Sequence, residues 1–334
     1  MLPAADHGPF QEALAAWFDE HARDLPWRRA PHAGDPYAVM VSEAMLQQTR
    51  VETVVPYFEA WMARWPTVRA LAVASEQDVL EAWQGLGYYN RARRLLAAAW
   101  AVVADHDGEV PVDPAALAKL PGFGPYTVGA VASIAHDVPI PCVDGNVARV
   151  VARLEAWEVD VREPKVRRRV HDHLTTRVPS PGAGRFTVAL MELGATVCTP
   201  KAPRCEICPV VAWCSAHETG VQEQVPLTGP RQRPTEVQVV AWLHRRGDRI
   251  WMTERPPGLL GGLWGLPMEE GVPDGQVVAR VSHTFTHRRW QVHVHEATGP
   301  PAGAGRWIDP TAPDVPLSTL DRKVIAAVGD ASVK

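Results

Sequence analysis

The sequence predicts a mainly α N-terminal domain followed, beyond a proline-rich linker, by a smaller α+β domain. Three observations carry this. Apolar residues recur at helical spacing from about residue 10 to residue 197. Four cysteines, Cys198, Cys205, Cys208 and Cys214, crowd the stretch that follows. From residue 235 onward the apolar pattern changes to period two, the signature of strands.

At 334 residues the chain is long enough for two or three domains. Hydrophobic residues make up 46% and charged residues 22%, as in an ordinary globular protein. The longest strongly apolar run, residues 95–104, is too short for a membrane span, and no secretory signal is visible at the start. A cytoplasmic monomer without membrane association is expected. The net charge of −4 carries no global sign of a polyanion-binding protein. Arginines nevertheless cluster at Arg91, Arg93 and Arg94 and again at Arg162, Lys165, Arg167, Arg168 and Arg169. Such patches can steer a polyanion locally.

Residues 10–22 have helical spacing, and Pro26 ends that segment before Trp27-Arg28-Arg29. Two helices follow, broken around Gln47-Gln48-Thr49. Glu43 lies among Val39, Met40, Ala44, Met45 and Leu46, and an acid in such surroundings has a raised pKa because burial disfavours its charged form. Ser75 and Asp78 form a capping box. Residues 85–91 then read as a loop, Gly85-Leu86-Gly87-Tyr88-Tyr89-Asn90-Arg91, with Asn90 capping the next helix. A glycine-flanked tyrosine pair can pack a hairpin or wedge into stacked bases. Asp113 and Pro114 open a short helix.

Leu120-Pro121-Gly122-Phe123-Gly124-Pro125 reads as a tight hairpin between helices, the second running from Pro125 to about His136. Its exposed N–H groups suit an anion. Asp144 then stands where an N-cap belongs, before another apolar helix. An anion clamp and a carboxylate on one scaffold point to chemistry on a nucleic acid backbone or sugar. At a helix N-terminus Asp144 would be held ionised by N–H donors and the helix dipole.

Helices near residues 144–157, 165–178 and 184–197 complete the first domain. The cysteines, spaced C-x6-C-x2-C-x5-C, argue for a metal rather than disulfides. Four thiolates suit zinc or a [4Fe–4S] cluster equally. Cys142 reads as a small packed residue. Residues 217–234, with Pro226, Gly229, Pro230 and Pro234, have linker composition. Strands follow at residues 236–246 and 249–255, joined by a hairpin at Gly247-Asp248, and again at residues 290–297. Residues 259–267 read as a glycine-rich connection and 318–328 as a terminal helix. His293 and His295 share a strand face with Gln291 and are expected to face solvent.

L-P-G-x-G-x-x-T at residues 120–127 with V-D-G-N-V-x-R-V at 143–150 resembles the helix-hairpin-helix DNA glycosylase superfamily. Further matches narrow the resemblance to its adenine DNA glycosylase (MutY) branch. V-S-E-x-M-L-Q-Q-T-x-V at 41–51 resembles the catalytic-acid motif and G-L-G-Y-Y-x-R-A-R at 85–93 the intercalation loop. M-E-L-G-A-x-x-C at 191–198, the cysteine spacing and a MutT-like (Nudix-fold) second domain complete the set. The implied fold class is a mainly α helix-hairpin-helix glycosylase with a [4Fe–4S] loop, plus a smaller α+β Nudix-like domain. The implied boundaries are a glycosylase domain at 1–216, a linker at 217–234 and a lesion-recognition domain at 235–334. The first comprises a six-helix module at about 27–135 and an iron–sulfur module at about 1–26 and 136–216.

The resemblance implies a base-excision repair enzyme. Its partner would be double-stranded DNA with adenine opposite 8-oxoguanine or guanine, and it would hydrolyse the adenine's N-glycosidic bond. Glu43 would donate to N7 of the flipped adenine and Asp144 would stabilise the oxocarbenium sugar. Asn146 and Tyr126 would position Asp144 and water, while Arg28 and Glu192 would border the adenine. Gln48, Thr49, Leu86, Gly87, Tyr88, Gly122 and Gly124 would contact DNA, with Gln48 and Tyr88 as wedges. Phe285, Thr286 and His287 would read 8-oxoguanine, Thr286 departing from the common Phe-Ser-His. The four cysteines would hold [4Fe–4S]. Main-chain oxygens of Ala118, Leu120 and Phe123 would hold a monovalent or Ca²⁺ ion when DNA is bound.

Alternatives are an endonuclease III-like bifunctional glycosylase and AP lyase, or a non-catalytic mismatch-binding or redox-sensing iron–sulfur protein. The lyase family's Schiff-base lysine position is Tyr126 here, which favours a monofunctional enzyme; Lys119 lies outside that pattern. A third alternative, a Nudix pyrophosphatase, is disfavoured because the R-E-x-x-E-E helix is missing and recognition fits better.

Overall fold

A computed structural model describes residues 7–229, 233–272 and 274–330. The chain folds as two compact units. One holds residues up to Val73 together with those from Arg94 to 229; the other holds Ala74–Arg93 with residues 233–330. The stretch 74–93, which the resemblance assigns to the six-helix module, therefore clusters with the C-terminal residues. Hydrogen bonds explain why: Tyr89 Oη donates to Leu317 O at 3.4 Å, and Arg93 and Arg322 reach Gly261 O and Gln84.

The helices before the strands are α1 (Gly8–His21), α2 (Pro36–Leu46), α3 (Val51–Arg64), α4 (Val68–Ala72), α5 (Glu76–Ala82) and α6 (Asn90–Asp105). Then come α7 (Pro114–Leu117), α8 (Pro125–Ala130), α9 (Gly145–Leu154), α10 (Pro164–Thr175), α11 (Ala183–Thr196) and α12 (Ser215–Glu218). No described helix is long and apolar enough to cross a membrane.

Local chemistry sets these boundaries. Asp35 accepts from the N–H groups of Tyr37 and Ala38, and Pro36 supplies a fixed φ at the first helical position of α2. Most residues of α2 are buried, so an acid on it is largely withdrawn from water. Gln47 to Arg50 leave the helical path before α3, as the sequence suggests. Ser75 Oγ accepts from Asp78 N–H, but the Asp78 carboxylate takes the Ser75 hydroxyl instead of closing the reciprocal box on the backbone. The sequence predicts one helix from Pro125 to His136. Instead α8 gives way at Val131–Ala135 to a π-helical turn. Ser133 Oγ donates to Gly129 O at 2.6 Å, which competes with the regular backbone ladder.

The core beside the site forms where α9, α11 and α1 meet, around Leu14, Val147, Val151, Leu190 and Leu193. Here α11 approaches α9 backbone to backbone. A Cβ on Gly194 would lie 2.6 Å from Asn146 Cβ, so no larger residue fits without moving one helix. The first part of the linker is not free. Val225 is buried, its carbonyl accepts from Arg153 Nε at 2.8 Å, and Leu227 N–H donates to Val159 O. Residues 230–232 of that linker, including Pro230, and residues 1–6, 273 and 331–334 lie outside the described residues.

In the second unit the strands are β1 (Thr235–Leu243), β2 (Arg245–Arg246), β3 (Arg249–Glu254), β4 (Trp264–Gly265), β5 (Met268–Glu270), β6 (Ala279–Thr284), β7 (Arg288–Glu296) and β8 (Arg306–Ile308). One sheet has order β5-β1-β7-β6, with β1 and β7 parallel; in the other, β3 pairs with β2, β4 and β8. Alternate residues such as Val239, Ala241, Val292 and Val294 enter a core shared with Ile250, Met252 and the terminal helix α13 (Thr319–Asp330). The predicted hairpin at Gly247-Asp248 joins β2 and β3. Two expectations change. The glycine-rich connection contains the short strand β4, whose Gly265 leaves room for the buried Arg255–Asp321 ion pair. His295 is only 4% exposed, because its register partner Trp242 tilts over it; His293 stays accessible and bonds to Gln238.

Candidate active site

A cleft of about 720 Å³ opens in the helical unit. Its wall receives Glu43 from α2, Tyr126 from α8, Asp144 and Asn146 from the start of α9, and Glu192 from α11. The volume lies in the range of ligand-binding clefts.

Glu43 is only 6% exposed. Burial pushes its carboxyl up to about 7, with the Tyr126 hydroxyl and Arg28 pulling it down and Asp144 adding to the rise. The Tyr126 hydroxyl donates to Glu43 Oε2. This corrects the expectation that Tyr126 positions Asp144: α8 packs against α2, which delivers the phenol to Glu43.

Asp144 caps α9, accepting from Val147 N–H at 2.7 Å and from Asn146 Nδ2 at 2.8 Å. The sequence suggests that these donors hold it ionised. Burial outweighs them and pushes its carboxyl above the ordinary value. Both carboxyls of the pair are therefore raised.

Glu192 is wholly buried. Arg23 donates from Nε at 2.7 Å and Nη2 at 3.0 Å, and Arg28 from Nη2 at 2.9 Å. Burial alone would raise this carboxyl, but the bonds and charges of the two arginines hold it below the ordinary range. Arg28 and Glu192, both expected at the adenine pocket, line the same cleft and pair with each other. Arg23 was not singled out by the sequence, although its place five residues before Arg28 on the same strap was a usable signal.

A second group missed by sequence reasoning lies beneath. Arg149 donates to Asn146 Oδ1 at 2.9 Å, Gly194 O at 2.6 Å and Cys198 O at 2.8 Å. Arg153, one turn on, donates to Cys198 Sγ at 3.2 Å and Thr199 O at 2.7 Å. Two arginines at i and i+4 on an otherwise apolar helix were the available clue. The four cysteines, half-buried in one loop, influence one another electrostatically, and burial pushes the Cys208 thiol up to about 12. Among the described residues no three His, Cys, Asp or Glu side chains converge as a site for one metal ion. Cys142 is buried beside Tyr126, its thiol against the Tyr126 carbonyl.

At the cleft edge stand Gln48, Thr49, Gly122 and Gly124. Gln48 has φ 59°, a conformation that non-glycine residues rarely adopt outside functional turns. Gly122, at φ 82°, turns the hairpin under the Arg94 side chain. Ala118, Leu120 and Phe123 lie on that hairpin, where Leu120 O already accepts from Phe123 N–H. Of the second basic cluster, Arg162 pairs with Asp160, Lys165 pairs with Glu163 and Arg169 stacks on Trp157, while Arg167 lines the cleft.

The other unit holds the remaining candidates. Tyr88 is 47% exposed with φ 50°, and its Oη lies 2.6 Å from Thr286 Oγ1, although the two are 198 residues apart. Leu86 is buried, so its side chain packs the unit and a contact with DNA falls to its backbone. Gly87 stays in the loop at φ 70°. Thr286 and His287 are exposed at the β6–β7 turn. Phe285 is half-buried, edge-on to His283 and Trp290, and acts as the turn's anchor.

Comparison with known proteins defines the class first. Residues 41–174 match the model of the HhH-GPD superfamily of base excision DNA repair proteins, and residues 239–327 that of the NUDIX domain. A solved thermostable thymine-DNA glycosylase superposes with a TM-score of 0.56 at 26% identity, covering 63% of this chain and 95% of that one. The adenine DNA glycosylase of Rattus norvegicus is 38% identical over 322 residues, 81% of this chain and 62% of the rat protein. That of Mycobacterium tuberculosis is 45% identical over 220 residues, 66% of this chain and 70% of its own length. The chain belongs to the adenine DNA glycosylase family. It spans under two thirds of the rat relative's length.

Proposed function

We propose that this protein removes adenine lying opposite 8-oxoguanine or guanine in double-stranded DNA, by hydrolysing the N-glycosidic bond without a lyase step. The observation that carries the reading is the Glu43–Asp144 pair on one cleft wall, with Glu43 titrating at about 7. An acid in that range is protonated often enough to donate and weak enough to hold its proton until needed.

The target nucleotide must leave the stack to reach this wall. Gln48 and Tyr88, both in left-handed conformations, are the wedge candidates. Glu43 would protonate adenine N7, and the electrons of the C–N bond would pass to the base. Asp144 would meet the cationic sugar, oriented by Asn146, before water adds. Ionised Glu192, whose two oxygens accept from Arg23 and Arg28, would accept from the adenine amino group by giving up one of those bonds as the base enters. Tyr126 cannot form an imine, which supports a monofunctional enzyme. The exposed Thr286 and His287 offer donors and acceptors to the edge that oxidation alters in guanine.

Four thiols on one loop are a donor set that an iron–sulfur group takes, and Arg153 beside Cys198 fits an anionic one. Cys198, Cys205, Cys208 and Cys214 would hold a [4Fe–4S] cluster, which when bound supplies four anchors for the loop and one-electron redox capacity. Single-turnover assays on duplexes with A opposite 8-oxoguanine, A opposite G, and thymine glycol test the function. Adenine release from the first two supports it, and cleavage of thymine glycol alone would overturn it. Metal analysis showing zinc and no iron would overturn the cofactor.

A further inference from the structure

Arg91 is the least expected charge in the second unit. It sits on the first turn of α6, yet its Nη2 turns back to donate to Leu86 O at 3.0 Å and Gly87 O at 3.1 Å. Its guanidinium lies 5.3 Å from the Trp83 ring and 5.5 Å from the Tyr88 ring, within cation–π range of both. Trp83 Nε1 donates to the same Gly87 carbonyl at 3.1 Å, and Arg91 N–H donates to Tyr88 O at 2.9 Å. The loop so gripped is strained: Gly87 and Tyr88 have φ of 70° and 50° in succession. A tyrosine stays in that region only where its surroundings over-determine it. Burial lowers the guanidinium's pKa to about 10, so the charge is held here against solvation.

We propose that Arg91 is a positioning residue that locks the Gly87–Tyr88 turn, presenting the Tyr88 ring ready-formed to the base stack and so setting discrimination between lesion-bearing and matched duplex. This rests on the wedge role given to Tyr88 above. Pre-organisation of this kind acts by removing the ordering cost from binding. A single nitrogen, Nη2, serves both carbonyls while the flat guanidinium lies within 5.5 Å of both ring centroids; a lysine ammonium could bond the carbonyls but offers no flat face to the rings. Arg91 touches neither base nor sugar in this scheme; it acts through Tyr88.

The test compares the full-length wild type with R91M, R91K, Y88L and R91M/Y88L. Hydrogen exchange is measured on the free proteins over residues 84–92. Binding is measured with a duplex carrying a non-cleavable 2′-fluoro adenosine opposite 8-oxoguanine and with the matched duplex. Exchange in that segment should quicken about tenfold in R91M and R91K while other segments keep wild-type protection, since only local opening is affected. The affinity ratio of lesion to matched duplex should fall about tenfold in both, and the double variant should be no worse than Y88L, because coupled residues are non-additive. The loss should appear in affinity rather than in the single-turnover rate at saturation.

Wild-type exchange in R91M, full additivity with Y88L, or complete rescue of discrimination by lysine would each overturn the proposal. If R91M fails to fold, R91K decides by the same two readouts. A wild type that releases no adenine defeats the functional reading, whereas the exchange readout judges Arg91's hold on the loop by itself.

Discussion

The Tyr126 hydroxyl donates to Oε2 of Glu43, joining residues 83 apart in sequence. That bond favours the ionised carboxylate and so opposes the burial that raises Glu43. A general acid must be protonated, so the wild-type rate should fall as pH rises through about 7. Tyr126→Phe removes the opposing bond. Its single-turnover pH profile should keep its shape with the basic limb moved to higher pH. A limb that stayed in place or moved down would mean that another group supplies the proton.

Glu43→Gln should lower adenine release by about 10²–10⁴-fold, the usual range for a lost general acid. The same change should stabilise the fold in alkaline conditions. Glu43 titrates at about 7 when folded against 4.5 ordinarily, so its contribution is complete below 4.5 and lost as pH rises through 7. Glutamine has no such loss. Thermal melts at pH 4 and pH 8 should show the variant gaining on wild type only at the higher value.

Glu192→Ala leaves Arg23 and Arg28 facing a buried space without their carboxylate. Breaking a buried ion pair costs about 3–5 kcal/mol, and the partial exposure of Arg23 places this case at the lower end. Glu192→Gln keeps one acceptor oxygen and fills the same space, although its NH2 group faces arginine donors, and it should cost less than alanine. Urea unfolding measures both, and equal stability for the two variants would show that charge alone, not bonding, holds the cluster.

Borohydride should trap little protein–DNA adduct, because the lyase lysine position holds Tyr126. Efficient trapping abolished by Lys119→Ala would establish a bifunctional enzyme instead.

Thr286→Ser preserves a hydroxyl for Tyr88 and should leave lesion preference intact. The double variant Thr286→Ala, His287→Ala should lose about tenfold or more of its preference for A opposite 8-oxoguanine over A opposite G, consistent with about 1–3 kcal/mol for an unpaired donor. Equal slowing on both substrates would make this turn a structural element only.

Much of this was legible in the chain because local chemistry wrote it there. Asp144 stands one residue before an apolar helix and caps it; the period-two pattern from residue 235 became β1. Glu43's raised pKa followed from its apolar neighbours, and burial produced it. Failures share one cause: they depend on what distant segments bring. Nothing near Tyr126 says that α2 will place Glu43 against it. Nothing near Asp144 says that burial will outweigh its own cap. His295 obeyed its strand period but met Trp242, a partner fixed only by parallel register. The alliance of residues 74–93 with the C-terminal residues depends on contacts across 168 to 238 residues.

The bare backbone contact between Gly194 and Asn146 turns a packing detail into a tolerance. Most helix pairs are separated by side chains that can shift rotamer and absorb an error. At Gly194 there is no such slack, so a displacement of α11 at this point passes directly to Asn146 beside Asp144. An alanine at 194, nearly silent in volume, would press on Asn146 and through it on the Asp144 carboxylate that Asn146 bonds. Sequence variation at this seam should accordingly be read as variation in the active site, even though its residue bears no reactive group.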